Sequence, residues 1–244
     1  MTAPEILAEL ETLGSASYKR LLMTNHGVRE PFFGVKIGDL KKLQKRIKKD
    51  HKLALELYDT GNYDAMYLAG LIADDSEMTR PDLDRWVKAA YGGALAGFTV
   101  PWVAAGSPHG WAMAEKWIAS SKPTIASAGW ATYASLASLE QELSAPSEVD
   151  GLSRLELLRE RLRQVEESIH QAPNEVRYAM NSYVIALGSY VAELADEALA
   201  AARRIGPVEV DLGNNDCKTP DAAEYILKSQ ARGSLMKKRK SVKC

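Results

Sequence analysis

The sequence predicts an all-α protein, on three observations. Apolar residues recur at three- and four-residue steps nearly throughout, no long run alternates with period two, and prolines and small polar residues fall where helices would begin.

Taken along the chain, Ile37, Leu40, Leu43 and Ile47 predict an amphipathic helix with its lysines outside. Leu152, Leu155, Leu158, Leu162, Val165 and Ile169 predict one face of a helix about five turns long. Ahead of it, Ser147 and Asp150 have capping-box-like spacing. Ser107-Pro108 and Thr219-Pro220 put a hydroxyl at N-cap and proline at N1, where its missing N–H costs nothing. Pro4, Pro81, Pro123 and Pro173 likewise precede helical patterns. Only Val208 to Leu212 (VEVDL) is strand-like, and Gly206-Pro207 and Gly213 around it make it a loop between helices. Breaks at intervals of about 10 to 20 residues give about a dozen helices. Two architectures suit such a pattern: an irregular bundle, or a solenoid of about six helix pairs of roughly 40 residues each. No strict internal repeat is visible, so periodicity leaves both open.

A chain of 244 residues, 46% hydrophobic and 26% charged, can bury a large core without a metal or disulfide staple. No run approaches the ~18 to 20 apolar residues of a membrane span. The opening MTAPEILAELETLG carries three glutamates and no basic region, so no secretory signal is expected. Two distant cysteines, Cys217 and Cys244, fit a reducing cytoplasm better than a disulfide framework.

The net charge of −1 conceals segregation. Lys36 to Lys52 holds eight Lys/Arg against Asp39 and Asp50, whereas Leu53 to Asp84 carries eight acids and one base, Arg80. From Lys228 to the end there are seven cations and no acid. Such positive faces on an acidic body suggest a polyanion, nucleic acid before membrane. The competing reading is a solvated lysine face and a disordered tail.

All five tryptophans, Trp86, Trp102, Trp111, Trp117 and Trp130, fall in one stretch, where aromatics can stack on bases or simply fill helix–helix contacts. From Arg85 through Ala114 there is no Asp or Glu, so a mechanism needing a carboxylate there has no candidate. Glu115 is the first acid and reads as a solvated surface charge. His26, His51, His109 and His170 lack ligand spacing; no metal and no cofactor are expected. Cys217, in NNDCKTP, reads as an inert buried thiol before a reactive one. Phosphate-loop, dinucleotide and serine-hydrolase motifs are absent.

Four stretches carry a family resemblance: PFFGVKIGDLKKLQK (Pro31 to Lys45), GWATYASL (Gly129 to Leu136), EVRYAMNSYVIALGSYV (Glu175 to Val191) and KKRKSVKC (Lys237 to Cys244). They resemble the DNA alkylation repair proteins, the AlkD-like HEAT-repeat family. That resemblance implies a right-handed α-solenoid of HEAT-like helix pairs, a single domain over 1–244 with a basic tail over 232–244. It also implies excision of positively charged N-alkylated purines in active members, without flipping the base into a pocket. Active members place an aspartate four residues after a tryptophan; here Trp102 is followed by Val103-Ala104-Ala105-Gly106, with the carboxylate gone. Tyr133 stands about where they carry an arginine, and Ser182 where they carry a second tryptophan.

The resemblance and the charge pattern together predict a cytoplasmic monomer that binds duplex DNA, alkylated or branched, and no membrane. Lys36, Lys41, Lys42, Lys45 and Arg177 are expected on phosphates, with Lys237, Lys238, Arg239 and Lys240 adding sequence-independent attraction. Trp102, Trp111 and Trp130 are expected to pack on the duplex. No residue is assigned as catalytic. The chain is either a glycosylase of weak or altered activity or a non-catalytic scaffold for nucleic acid or protein.

Overall fold

The computed structural model describes residues 1–149, 151–213, 218–232 and 237–243. Asp150, Cys217 and Cys244 therefore lie outside the described residues. In chain order the helices are α1 (Ala3–Leu13), α2 (Ala16–His26), α3 (Ile37–Ile47), α4 (His51–Asp59), α5 (Tyr63–Ile72), α6 (Arg80–Ala89) and α7 (Gly92–Ala94). A π-helical turn over Leu95–Thr99 joins α7 to α8 (Val100–Gly106). There follow α9 (Gly110–Ile118), α10 (Pro123–Ser138), α11 (Arg154–Ser168), α12 (Asn174–Tyr190), α13 (Ala195–Ile205) and α14 (Ala222–Ala231). Among the described residues there is no strand, only two isolated bridges, and VEVDL is a loop. No helix among them is long and apolar enough to cross a membrane.

The chain forms two compact units, the first built mainly from Met1–Val103 and the second from Ala104–Leu212 with most of the C-terminal segment. Within the second, helices pack in pairs, and the pairs stack: α10 lies on α9 and α12, and α11 on α13. The first repeats the motif, with α5 on α4 and α3. This is the helix-pair repeat fold, not an irregular bundle.

Local chemistry starts most helices. Thr2 with Glu5, Thr79 with Asp82 and Ser153 with Glu156 are full capping boxes. Three expected starts are displaced. The leucine-rich helix is capped by Ser153, not by the Ser147–Asp150 pair. Ser147 closes a local turn, its hydroxyl 2.9 Å from the Val149 carbonyl, and only Ser153 has a glutamate three residues on to return its bond. Ser107 ends α8 rather than opening α9: it donates to the Ala104 carbonyl (2.7 Å) and accepts from the His109 amide (3.2 Å). At the third, Asp221 caps α14 in place of Thr219, accepting from the Glu224 amide at 2.8 Å.

Each unit closes around a close contact. In the first, a Cβ on Gly70 of α5 would meet Thr99 Cγ2 at 2.3 Å, so only glycine lets the π-helical turn lie this near. In the second, Trp130, Tyr133 and Tyr183 interlock with ring centroids 5.4 to 6.2 Å apart.

One buried acid organises the approach to α3. Asp64, 1% exposed, accepts the backbone N–H groups of Phe33 (2.6 Å), Gly34 (3.0 Å) and Val35 (3.1 Å). Burial pushes its carboxyl above the usual range, and those three donors pull it back down. Removing it strands three N–H groups beside buried side chains. Asp64→Ala is expected to lower unfolding free energy by about 3 kcal/mol. Asp64→Asn keeps one acceptor oxygen and should lose clearly less. Urea denaturation of the two variants checks both the size and the order.

Candidate nucleic-acid interface

The basic face begins where that loop ends. Lys36 is the N-cap of α3, with no side-chain cap bond, and Leu40 and Leu43 turn the inner face of the helix into the core. Acids from elsewhere claim part of the basic run. Lys42 pairs with Asp39 (2.8 Å), Arg46 with Glu9, Lys49 with Asp74 (3.1 Å) and Lys52 more loosely with Glu56 (3.9 Å). Among the described residues, Lys36, Lys41, Lys45 and Lys48 make no ion pair. Lys41 and Lys45 stand four residues apart on one side of α3, about 6 Å along its axis, with Lys36 at its N-cap and Lys48 at its C-cap. Lys48 is outside the expected contacts; a φ of 66° there turns the chain off the helix, and it adds a cation just past the helix end.

The tail is ordered where it is described. The Arg239 amide donates to the Ser138 carbonyl (2.8 Å), and the Arg239 carbonyl accepts from the Glu140 amide (3.0 Å). Its guanidinium lies 2.7 Å from the Tyr190 hydroxyl and over that ring. Lys238 donates to the Ala137 carbonyl (2.7 Å), and burial pulls its ammonium below the usual lysine range. Both cations thus serve the C-terminal ends of α10 and α12, where the helix dipoles favour positive charge. Lys237 and Lys240 are exposed, with no ion pair among the described residues.

Arg177 is likewise occupied. Its guanidinium donates to the carbonyls of Ala172 (3.0 Å) and Glu209 (2.9 Å), and Asn174 binds the backbone of Asp211 from both amide atoms. Arg177 and Asn174 thereby hold the VEVDL loop to α12 and line a groove of about 630 Å³ together with Lys218.

The tryptophans lie inside. Trp102 is 6%, Trp111 7% and Trp130 1% exposed, so none presents an open ring face. Trp102 packs edge-on to Tyr67, and Trp111 donates to Gln141 Oε1 (3.1 Å) beneath the Arg154 guanidinium. Helix–helix contacts of this size need large side chains, and that demand claims these rings. Three aromatics are exposed among the described residues, Phe98 on the π-helical turn, Tyr178 on α12 and Tyr225 on α14.

Glu115 is not a solvated charge. Its carboxylate accepts from the Tyr133 hydroxyl (2.5 Å) and from two nitrogens of Arg161 (2.6 and 3.0 Å). Burial, then the bond to Glu115, pushes the Tyr133 hydroxyl far above the usual tyrosine range. The Tyr133 ring is therefore enclosed, and the first acid after Trp102 is already engaged. Gly106, the last residue of α8, is exposed and carries no functional group. Among the described residues no three His, Cys, Asp or Glu side chains gather as a metal site.

Glu115→Ala leaves the Tyr133 hydroxyl and the Arg161 guanidinium without their acceptor. It should cost about 2 to 3 kcal/mol of stability. Glu115→Gln, which keeps an acceptor for Tyr133, should cost less, as thermal unfolding would read out.

Comparison with known proteins bears on this arrangement. A family model described as "DNA alkylation repair enzyme" matches residues 6–226. The proteins Lin0241 of Listeria innocua and Lmo0209 of Listeria monocytogenes are each 31% identical over 238 residues, covering 95% of this chain and 99% of theirs. A solved structure is 37% identical and covers 100% of both chains with a TM-score of 0.85. It is described as representing "a new family of proteins related to the HEAT-like repeat DNA glycosylases with affinity for branched DNA structures". With its helices stacked in pairs and its sequence matched almost end to end, the chain belongs to the DNA alkylation repair family.

Proposed function

We propose that this protein binds duplex DNA, prefers branched duplexes, and lacks efficient N-alkylpurine excision. The observation that carries the reading is the set of cations on and capping α3 that make no ion pair among the described residues. Lys36, Lys41, Lys45 and Lys48 stay available for phosphates, while neighbouring lysines are paired. Lys237 and Lys240 add charge from the tail. Lys42, Lys238, Arg239 and Arg177, all engaged within the protein, contribute less. Trp102, Trp111 and Trp130 belong to the core in this reading. The preference for branches follows the affinity stated for the 37%-identical structural relative.

The case against efficient excision is electrostatic. A charged, alkylated purine is already a good leaving group, so the remaining task is to stabilise positive charge developing on the sugar. Active relatives are expected to do this with an aspartate one helical turn beyond the tryptophan; Gly106 supplies nothing, and Glu115 is tied to Arg161 and Tyr133. Loss of one well-placed electrostatic partner typically costs ~10² to 10³ in rate.

Two measurements test the two halves. Affinity for a duplex should fall steeply with salt, and Lys36→Gln/Lys41→Gln/Lys45→Gln should flatten the slope of log K against log salt by about 2.7, at about 0.9 per lost contact. A wild-type affinity indifferent to salt would exclude the phosphate-binding face. Separately, the wild type incubated with N-methylated duplex DNA should release almost no base by chromatography. Gly106→Asp should raise release about 10²-fold. Rapid release by the wild type would overturn the non-excising half and leave the binding half intact.

A further inference from the structure

Resting on the DNA-binding reading, we infer that Phe98 is a stacking platform for an unpaired or frayed base at a DNA branch point. Position 98 lies three residues after buried Leu95 and four before buried Trp102. On an uninterrupted α-helix those three would share a side. The π-helical turn over Leu95–Thr99 interrupts that register, and Phe98 is 51% exposed. Thr99 in the same turn is held against Gly70, where not even one methyl fits between them. The turn that presents Phe98 is thus backed by rigid structure.

The ring also has a firm support and an open approach. Trp102 lies 5.8 Å from Phe98, tilted by 40°, and is itself braced edge-on by Tyr67 at 5.8 Å. Gly97 beside it and Gly93 one turn earlier have nothing within 4 Å of where a Cβ would stand, so no side chain crowds that flank. The helix is slim there, and a nucleic-acid backbone can come near.

Charge selects the occupant. Between Arg85 and Ala114 there is no carboxylate, and Lys88, just before α7, has no ion pair among the described residues. Arg29, which makes no ion pair among the described residues, lies 5.1 Å above the Tyr91 ring at the N-cap of α7, where Asp64 and Glu30 are also near. A flat apolar ring carried by a stretch of chain without a carboxylate suits a base attached to phosphates, since no acid in that stretch repels them. In a continuous duplex the faces of the bases are covered by their neighbours, whereas a branch point uncovers them. Stacking on such a face is sequence-tolerant. Phe98 therefore discriminates branched from linear DNA, and the lysines of α3 bind either.

The test compares affinity for an immobile three-way junction with that for a linear duplex of the same arm sequence. Phe98→Ala, Phe98→Leu and Phe98→Trp are measured beside the wild type, with analytical ultracentrifugation of each protein alone. Phe98→Ala and Phe98→Leu should each lose about tenfold or more of junction affinity. Both should keep the wild-type linear-duplex affinity and salt slope, and Phe98→Trp should keep the preference. Phe98→Leu separates stacking from apolar covering, because it keeps bulk and loses the ring. Unchanged preference in Phe98→Ala or Phe98→Leu overturns the inference, as does a wild type that binds both DNAs equally; in each case the duplex-binding reading survives. A wild-type dimer that Phe98→Ala dissolves also overturns it, assigning the ring to a second copy of the chain. No binding of either DNA by the wild type sinks the underlying reading itself.

Discussion

A buried carboxylate holds up the basic face. Asp64 sits on α5 with its oxygens against three consecutive backbone amides, and those amides lead directly into Lys36 and α3. A charge this deep is tolerated because its desolvation is offset by strong hydrogen bonds from groups that would otherwise be unsatisfied. The exchange is reciprocal: the loop needs an acceptor, and the acid needs donors. Once the loop is fixed, the start of α3 is fixed, and with it the direction in which its lysines project.

The segregation of charge then takes on structural meaning. Part of the acidic complement neutralises cations: Glu9, Asp39 and Asp74 hold Arg46, Lys42 and Lys49, and Asp75 holds Lys243 in the tail. The more exposed of these pairs, those of Arg46, Lys42 and Lys49, contribute little to stability. Their larger consequence is a sorting of the basic run into paired and unpaired members, leaving a narrow stripe of net positive charge. For a polyphosphate ligand that stripe counts for more than net charge, since binding strength follows the number of phosphates neutralised.

The same chain dispenses with a charge where catalysis would use one. An acid four residues after Trp102 would fall in the acid-free stretch from Arg85 to Ala114, and the next acid along the chain, Glu115, is committed to Arg161 and Tyr133. Tyr133 joins Trp130 and Tyr183 in a sealed cluster, so the aromatic side chains of α10 strengthen helix packing and leave its surface to small residues. In the proposed reading fold and chemistry are separable, since a helix-pair architecture does not by itself carry an activity.

Helical class, the amphipathic lysine helix, the loop at VEVDL and the missing acid after Trp102 were all legible in the residues, because each follows from local periodicity, turn chemistry or plain composition. The family was legible too, in motifs spread from Pro31 to Lys45 and onward to the tail. Contacts between residues far apart in sequence decided the rest. Whether Arg177 faced a ligand or clamped a loop depended on carbonyls 5 and 32 residues away. Whether a tryptophan was surface or core depended on neighbours that no period reveals. Local sequence determined which residues were helical and where charge was concentrated. Only tertiary packing decided which cations remained unpaired and which rings stayed in the open, since burial and pairing are properties of neighbours brought together by the fold.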